Sequence, residues 1–182
     1  AALPSVDYRQ LLLDAEKHTV AFGKPGMRID LGGIAKGYAV DRGIEILKAR
    51  GLTRAMVNAG GDTRVSGDRF GKPWVIGIRY PDRKDEVVLR IPLVDAAFST
   101  SGDYERFFDE GGVRYHHILN PKTGRSPHEL RSVTIIASNA TRTDGLSKTV
   151  FILGAKAGLA FIESLPDADA IVIDSAGKVS YS

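Results

Sequence analysis

The residues whose types and spacing carry chemistry fall in five short stretches of this 182-residue sequence. "TDGLSK" (143–148) places Asp144, Ser147 and Lys148 at i, i+3 and i+4, so that a helix would set them on one face. A carboxylate and a hydroxyl one turn apart are two hard oxygen donors of the kind Mg²⁺ takes, with waters and phosphate oxygens filling the octahedron. The plainer reading is that Asp144 balances the dipole in the helix's first turn. "YHHILNPKTG" (115–124) sets two of the four histidines side by side. Neighbouring side chains on a strand point to opposite faces, so at most one of His116 and His117 faces a given site, and the two do not chelate. A lone histidine is usually structural, and a catalytic role for His117 is the less common alternative; His18 and His128 read as surface residues.

Three glycine-bearing turns complete the set. In "DLGGIAKGYAVD" (30–41), Gly32 and Gly33 let the backbone take positive φ and approach a ligand. A helix starting just after them would offer free N–H groups to an anion. The spacing matches neither the dinucleotide fingerprint nor the P-loop, so a structural turn stands as an equal reading, with Asp30 as its turn acid. "VNAGGD" (57–62) is a second turn, in which Asn58 and Asp62 can close local hydrogen bonds. "FSTSGDYER" (98–106) is a third, whose hydroxyls either hold a ligand or cap a helix starting near Asp103. All three follow strand-like runs, and their convergence on one cleft is an expectation for the structure to test.

The elements that must position these residues are legible in outline. Hydrophobic residues make up 43% and charged residues 26%, a globular composition able to bury a core, and the length fits one domain over 1–182. The net charge of +3 is spread over interleaved acids and bases, as in "RYPDRKDE", which argues against a nucleic-acid stripe and allows a small anionic ligand. With no cysteine there are no disulfides or thiolate metal sites. "YRQLLLDAEKH" reads as helical or irregular. "TVAFG" and "MRIDL" suggest a hairpin about "KPG". A helix is expected from about Ile34 to Arg50, with Val40, Ile44 and Leu47 on its apolar face and Gly51 as its stop. Strand candidates are "AMVNAG", "WVIGIRY", "EVVLRIPL", "AAFSTSG", "RYHHILN" and "SVTIIAS". "NATRTDGLSKTVFIL" reads as a helix capped by Thr141 or Thr143 and ended by Gly154, "AKAGLAFIESL" as another, and "AIVIDSAGKVSYS" as a closing hairpin. Runs of strands with helices at irregular intervals point to an α+β fold.

Taken in order, "DLGGIAKGYAVD", "VNAGGD", "STSGDYER", "HHILNPKTG" and "VTIIASNATRTDGLSKTVFILG" resemble the ApbE family of FAD:protein FMN transferases, formerly described as thiamine-biosynthesis lipoproteins. The resemblance runs from about Ala21 to the end. It implies an α+β, tunnelling-fold-related mixed sheet with packed helices. It also implies Mg²⁺-dependent transfer of FMN from FAD to a threonine or serine hydroxyl of an acceptor flavoprotein, such as a subunit of a redox-driven membrane complex, with release of AMP. By position, the resemblance makes His117 catalytic, places Asp30, Lys36 and Leu119 against FAD, and assigns the metal to the Gly33 carbonyl, Asp144 and Ser147. A periplasmic or lipid-anchored inner-membrane location follows from the same resemblance.

Two departures qualify the resemblance. The family's late motif carries a metal-binding threonine four residues after the acid, where this sequence has Lys148. Thr149 is one residue late, about 100° round the helix. A lysine there repels Mg²⁺, although its ammonium can reach a pyrophosphate. Most of the family's region before "DLGG" is also missing, which suggests a C-terminal portion or a minimal form. The alternatives are an FAD pyrophosphatase giving FMN and AMP, or a flavin-binding protein without catalysis.

Overall fold

The structure, a computed structural model, describes residues 3–81 and 83–182. Single 3₁₀ turns at Leu3–Ser5 and Tyr8–Gln10 lead into a hairpin of β1 (Leu11–Asp14) and β2 (Thr19–Phe22). The expected hairpin about "KPG" does not form. "TVAFG" pairs backward with the Leu-Leu-Leu run, Leu11 opposite Phe22, while 27–31 enter no ladder. The turn between the strands is closed locally, the Asp14 carboxylate accepting the Lys17 N–H at 2.9 Å.

Helix α1 (Ala35–Ala49) matches the expected span. Next come β3 (Ala55–Ala59), β4 (Asp62–Ser66), β5 (Trp74–Tyr80), β6 (Arg83–Leu93) and β7 (Ala97–Gly102). The expected helix near Asp103 does not form. The chain turns instead into β8 (Phe107–Glu110) and β9 (Val113–His116), because the Asp103 carboxylate is drawn to Arg131 (2.6 Å) and caps nothing. β10 (Leu130–Ala137), α2 (Ala140–Leu153), α3 (Ala155–Glu163), β11 (Ala168–Asp174) and β12 (Val179–Tyr181) complete the fold. The cap of α2 is Asn139, not Thr141 or Thr143, its carboxamide oxygen accepting the Arg142 N–H at 2.9 Å.

Six strands form one sheet in the order β12-β11-β10-β7-β4-β3, with every neighbouring pair antiparallel. Strand alternation splits its side chains between two cores. Val133 and Ile135 pack with Val150 and Phe151 of α2 and Ile162 of α3, all essentially unexposed. Ile136 and Phe98 point the other way, to Ile76, Leu93 and Val65, so the long β5–β6 hairpin covers the second face. Each fully buried aliphatic or aromatic side chain contributes about 1.5–3 kcal/mol by burial. The architecture is the α+β arrangement expected. Among the described residues no helix is long and apolar enough to cross a membrane.

Helices α1 and α2 touch more closely than side chains allow. A Cβ added at Gly37 would lie 2.6 Å from the Ala140 carbonyl carbon and 2.8 Å from the Asp144 Cβ, so only glycine fits there. That approach brings the first turns of the two helices together, with the tip of β3–β4 and the end of β7 beside them.

Candidate functional site

The three glycine-bearing turns converge. Gly32 and Gly33, Gly60 and Gly61, and Gly102 all line one cleft of about 780 Å³, a size suited to a small-molecule ligand. Neither Gly32 nor Gly33 uses positive φ, contrary to expectation. The first turn is held by Asp30, whose Oδ1 accepts the Gly32 N–H at 2.7 Å. A Cβ at Gly33 would meet nothing within 4 Å, so this glycine simply leaves the wall open. Gly61 is different: a Cβ there would lie 2.7 Å from the Thr100 carbonyl oxygen, and its own carbonyl accepts the Thr100 N–H at 3.0 Å. This contact fastens the second turn to β7. Asn58 closes that turn by donating to the Gly60 carbonyl at 3.1 Å.

Of the sequence-predicted residues, Asp30, Gly33, Lys36, His117 and Leu119 line this cleft, and Asp144 and Ser147 lie behind its wall, both fully buried. The histidine pair divides as strand alternation requires, although β9 ends at His116. His116 is buried. Its Nε2 meets the Pro127 carbonyl at 2.8 Å, and its ring packs edge-on to Phe151 with centroids 5.3 Å apart. Burial lowers its pKa below the ordinary 6.5, against the Pro127 hydrogen bond and the charge of Asp103, so the ring is kept neutral. His117 is exposed to the cleft, and its Nδ1–H donates to the Arg106 carbonyl at 3.4 Å. That tautomer leaves Nε2 as an acceptor.

Two lysines from different helices enter the cleft, each anchored on a buried carboxylate. Lys36 of α1 pairs with Asp62 of β4, whose side chain is 2% exposed. Lys148 of α2 pairs with Asp144 Oδ1 and also donates to the Asp144 carbonyl at 3.0 Å. The sequence shows Asp62 as a turn residue but gives no strand signal for 62–66, because "DTRVS" is polar. β4 nonetheless lies inside the sheet between β3 and β7, with Asp62 held by Lys36 and Arg64 by Asp41, both on α1, and Thr63 by Asn58. The hydroxyls of "STSG" cap no helix and are bonded to other hydroxyls of the protein. Ser99 bonds Thr143 (2.7 Å) and Ser101 bonds Ser147 (2.8 Å), docking α2 on β7, while Thr100 turns to Thr134 on the opposite face (2.9 Å).

The donor set does not fit the divalent metal that the family resemblance implies. Asp144 Oδ2 accepts the Gly37 N–H at 3.0 Å, and Oδ1 is taken by Lys148. Ser147 Oγ is shared between Ser101 and the Asp144 carbonyl, the latter at 2.8 Å. Among the described residues no three His, Cys, Asp or Glu side chains gather to hold a metal. Gly33, Asp144 and Ser147 therefore serve here as a cleft wall, a lysine anchor and a helix dock.

A model of the ApbE family matches residues 1–172. The chain is 37% identical over 188 residues to the FAD:protein FMN transferase of Treponema pallidum, covering 94% of this chain and 52% of that protein. The crystal structure of the ApbE protein of Thermotoga maritima superposes with a TM-score of 0.90 at 43% identity, covering 100% of this chain and 59% of that one. The flavin transferase ApbE of Vibrio cholerae gives 0.82 at 33% identity, over 97% and 57%. The chain spans about half the length of the curated relatives it matches.

Proposed function

The chain belongs to the ApbE family, and on that premise we propose that its cleft binds FAD and passes the FMN half to a serine or threonine hydroxyl of an acceptor flavoprotein, releasing AMP. The observation that carries this reading is the convergence of three glycine-bearing turns, two lysines and one cleft-facing histidine on a single cleft. Glycine turns bring backbone N–H groups close to phosphate oxygens, and Lys36, Lys148 and Arg106 supply positive charge beside them. An acceptor hydroxyl attacks the FMN-side phosphorus, the bond to the bridging oxygen breaks, and AMP leaves with that oxygen. His117 Nε2 takes the hydroxyl proton, while the Arg106 carbonyl holds the ring's other nitrogen. The acceptor, in this reading, is a flavin-carrying subunit of a redox-driven membrane complex, on the periplasmic side.

The test combines protein, FAD and an acceptor. AMP together with a fluorescent acceptor band on a denaturing gel supports transfer. AMP with free FMN turns the reading to hydrolysis, and bound FAD without AMP to a binding protein. His117→Ala should keep FAD affinity and slow transfer by about 10²–10⁴-fold, the range for a lost general base. Unchanged turnover would remove His117 from the mechanism.

A further inference from the structure

The position where the family resemblance implies a metal-binding threonine holds Lys148, and its ammonium sits where a cation would. Asp144 is 0% exposed. A carboxylate so buried requires a positive partner, and Lys148 is the charged one it has, beside the neutral Gly37 N–H. Lys148 reaches it from one turn along the same helix and is itself 23% exposed at the side chain, on the cleft wall. An ammonium has three N–H donors. Two go to Asp144, through Oδ1 and the carbonyl oxygen, which fixes the side chain and leaves the third for a ligand. A divalent ion at Asp144 Oδ1 would have to displace Lys148 and then stand beside its charge.

We propose that the Lys148 ammonium, held on Asp144, is the built-in cation of this cleft, and that it neutralises an FAD pyrophosphate without a divalent metal. This rests on the FAD reading above. One ammonium carries half the charge of a divalent ion, so Lys36 on Asp62 and Arg106 share the load from the other walls. The bound anion then sits between residues of α1, α2 and the turn before β8. This arrangement responds to ionic strength but not to chelators.

The experiment uses the whole chain, with circular dichroism confirming that each variant folds. FAD binding is read from flavin fluorescence in EDTA and in Mg²⁺, and Mn²⁺ alone is titrated by electron paramagnetic resonance. The wild type should bind FAD within about twofold equally in both buffers, and should bind no Mn²⁺. Lys148→Thr should weaken FAD binding in EDTA by about tenfold or more, recover with Mg²⁺, and gain a Mn²⁺ site. Lys148→Arg should stay metal-independent. The proposal is overturned if the wild type binds FAD only with Mg²⁺, or if it binds Mn²⁺ as well as Lys148→Thr does. If FAD binds in neither buffer, the FAD reading fails, and the Mn²⁺ titration still decides whether lysine or metal holds Asp144.

Discussion

Asp41 and Asp144 are the same residue type, both buried, both at the contact between α1 and α2, and they do opposite work. Asp41, on α1, accepts the Ala140 N–H (2.8 Å) and the Thr141 N–H (2.8 Å), the first two free donors of α2, plus the Thr141 hydroxyl (2.6 Å). Arg64 of β4 adds its charge at 2.9 Å. Asp144, on α2, returns the exchange by accepting the Gly37 N–H from the first turn of α1. Each helix thus caps the other, and the all-atom contact at Gly37 makes the reach short enough. Asp41 spends every lone pair on scaffold. Asp144 spends one oxygen on scaffold and the other on a lysine that lines the cleft. The lesson is that a carboxylate becomes part of a site through its second partner: Arg64 is locked into the sheet, whereas Lys148 faces ligand space.

The largest effect that would break this comparison is at Asp41. Asp41→Ala strips two helix-end donors and leaves Arg64 unpaired at 21% side-chain exposure. Losing one partner of a buried pair costs about 3–5 kcal/mol, to be read from urea unfolding at pH 7. The same measurement has a pH signature. Burial pushes Asp41 up, but the Thr141 hydroxyl, the Ala140 and Thr141 N–H groups and the Arg64 charge together outweigh it, so its pKa is lowered from 3.8. A depressed carboxylate pKa gives stability that is fully present above 3.8 and is lost as pH falls through the lower folded value. The gap between wild type and Asp41→Ala should therefore be constant from neutral pH down to the ordinary carboxylate range, then shrink in stronger acid. A gap independent of pH would mean that packing, not the ion, does the work.

Asp144→Asn sharpens the other side. The amide oxygen can keep the Gly37 N–H, so the clasp survives and only the charge goes. Lys148, 23% exposed, can then turn outward to water. The expected cost is smaller, about 1.5–3 kcal/mol, the range for a hydrogen bond to a charged group. If Asp144→Asn proved as damaging as Asp41→Ala, both acids would be scaffold and the cleft lysine incidental.

Legibility in the sequence followed the range of the interactions. The ends of α1 and α2 could be read because glycine stops act within one turn. Each of the cleft's three turns carries its own local signal, but their convergence comes from the sheet topology and is not encoded in any one stretch. Alternation separates His116 from His117 even though β9 ends at His116. Asp41 carries no local sign of its role, because its hydrogen-bond partners on α2 lie 99 and 100 residues away. β4 is hidden in the sequence by its polarity. Asp62, Thr63 and Ser66 are polar yet buried, with Lys36, Asn58 and the Thr53 carbonyl as their partners. The first hairpin is ambiguous in the sequence because two apolar runs compete to pair with "TVAFG", and nothing local says which one wins.

The smallest effect tests how α2's cap is shared. Its first three N–H groups go to two acceptors: Ala140 and Thr141 to Asp41 from another helix, and Arg142 to Asn139 from the helix's own cap. Asn139→Ala removes only the local third, so it should cost about 1 kcal/mol, typical of a lost N-cap. Because Asp41 still holds the other two donors, the helix end should not fray. Combining Asn139→Ala with Asp41→Ala leaves all three donors bare on the same turn. Neighbouring caps of one helix end couple, so the double variant should lose more than the sum of the singles by about 0.5 kcal/mol or more. Simple additivity would show that Asp41 and Asn139 act independently on the end of α2, and that its cap is not one cooperative unit.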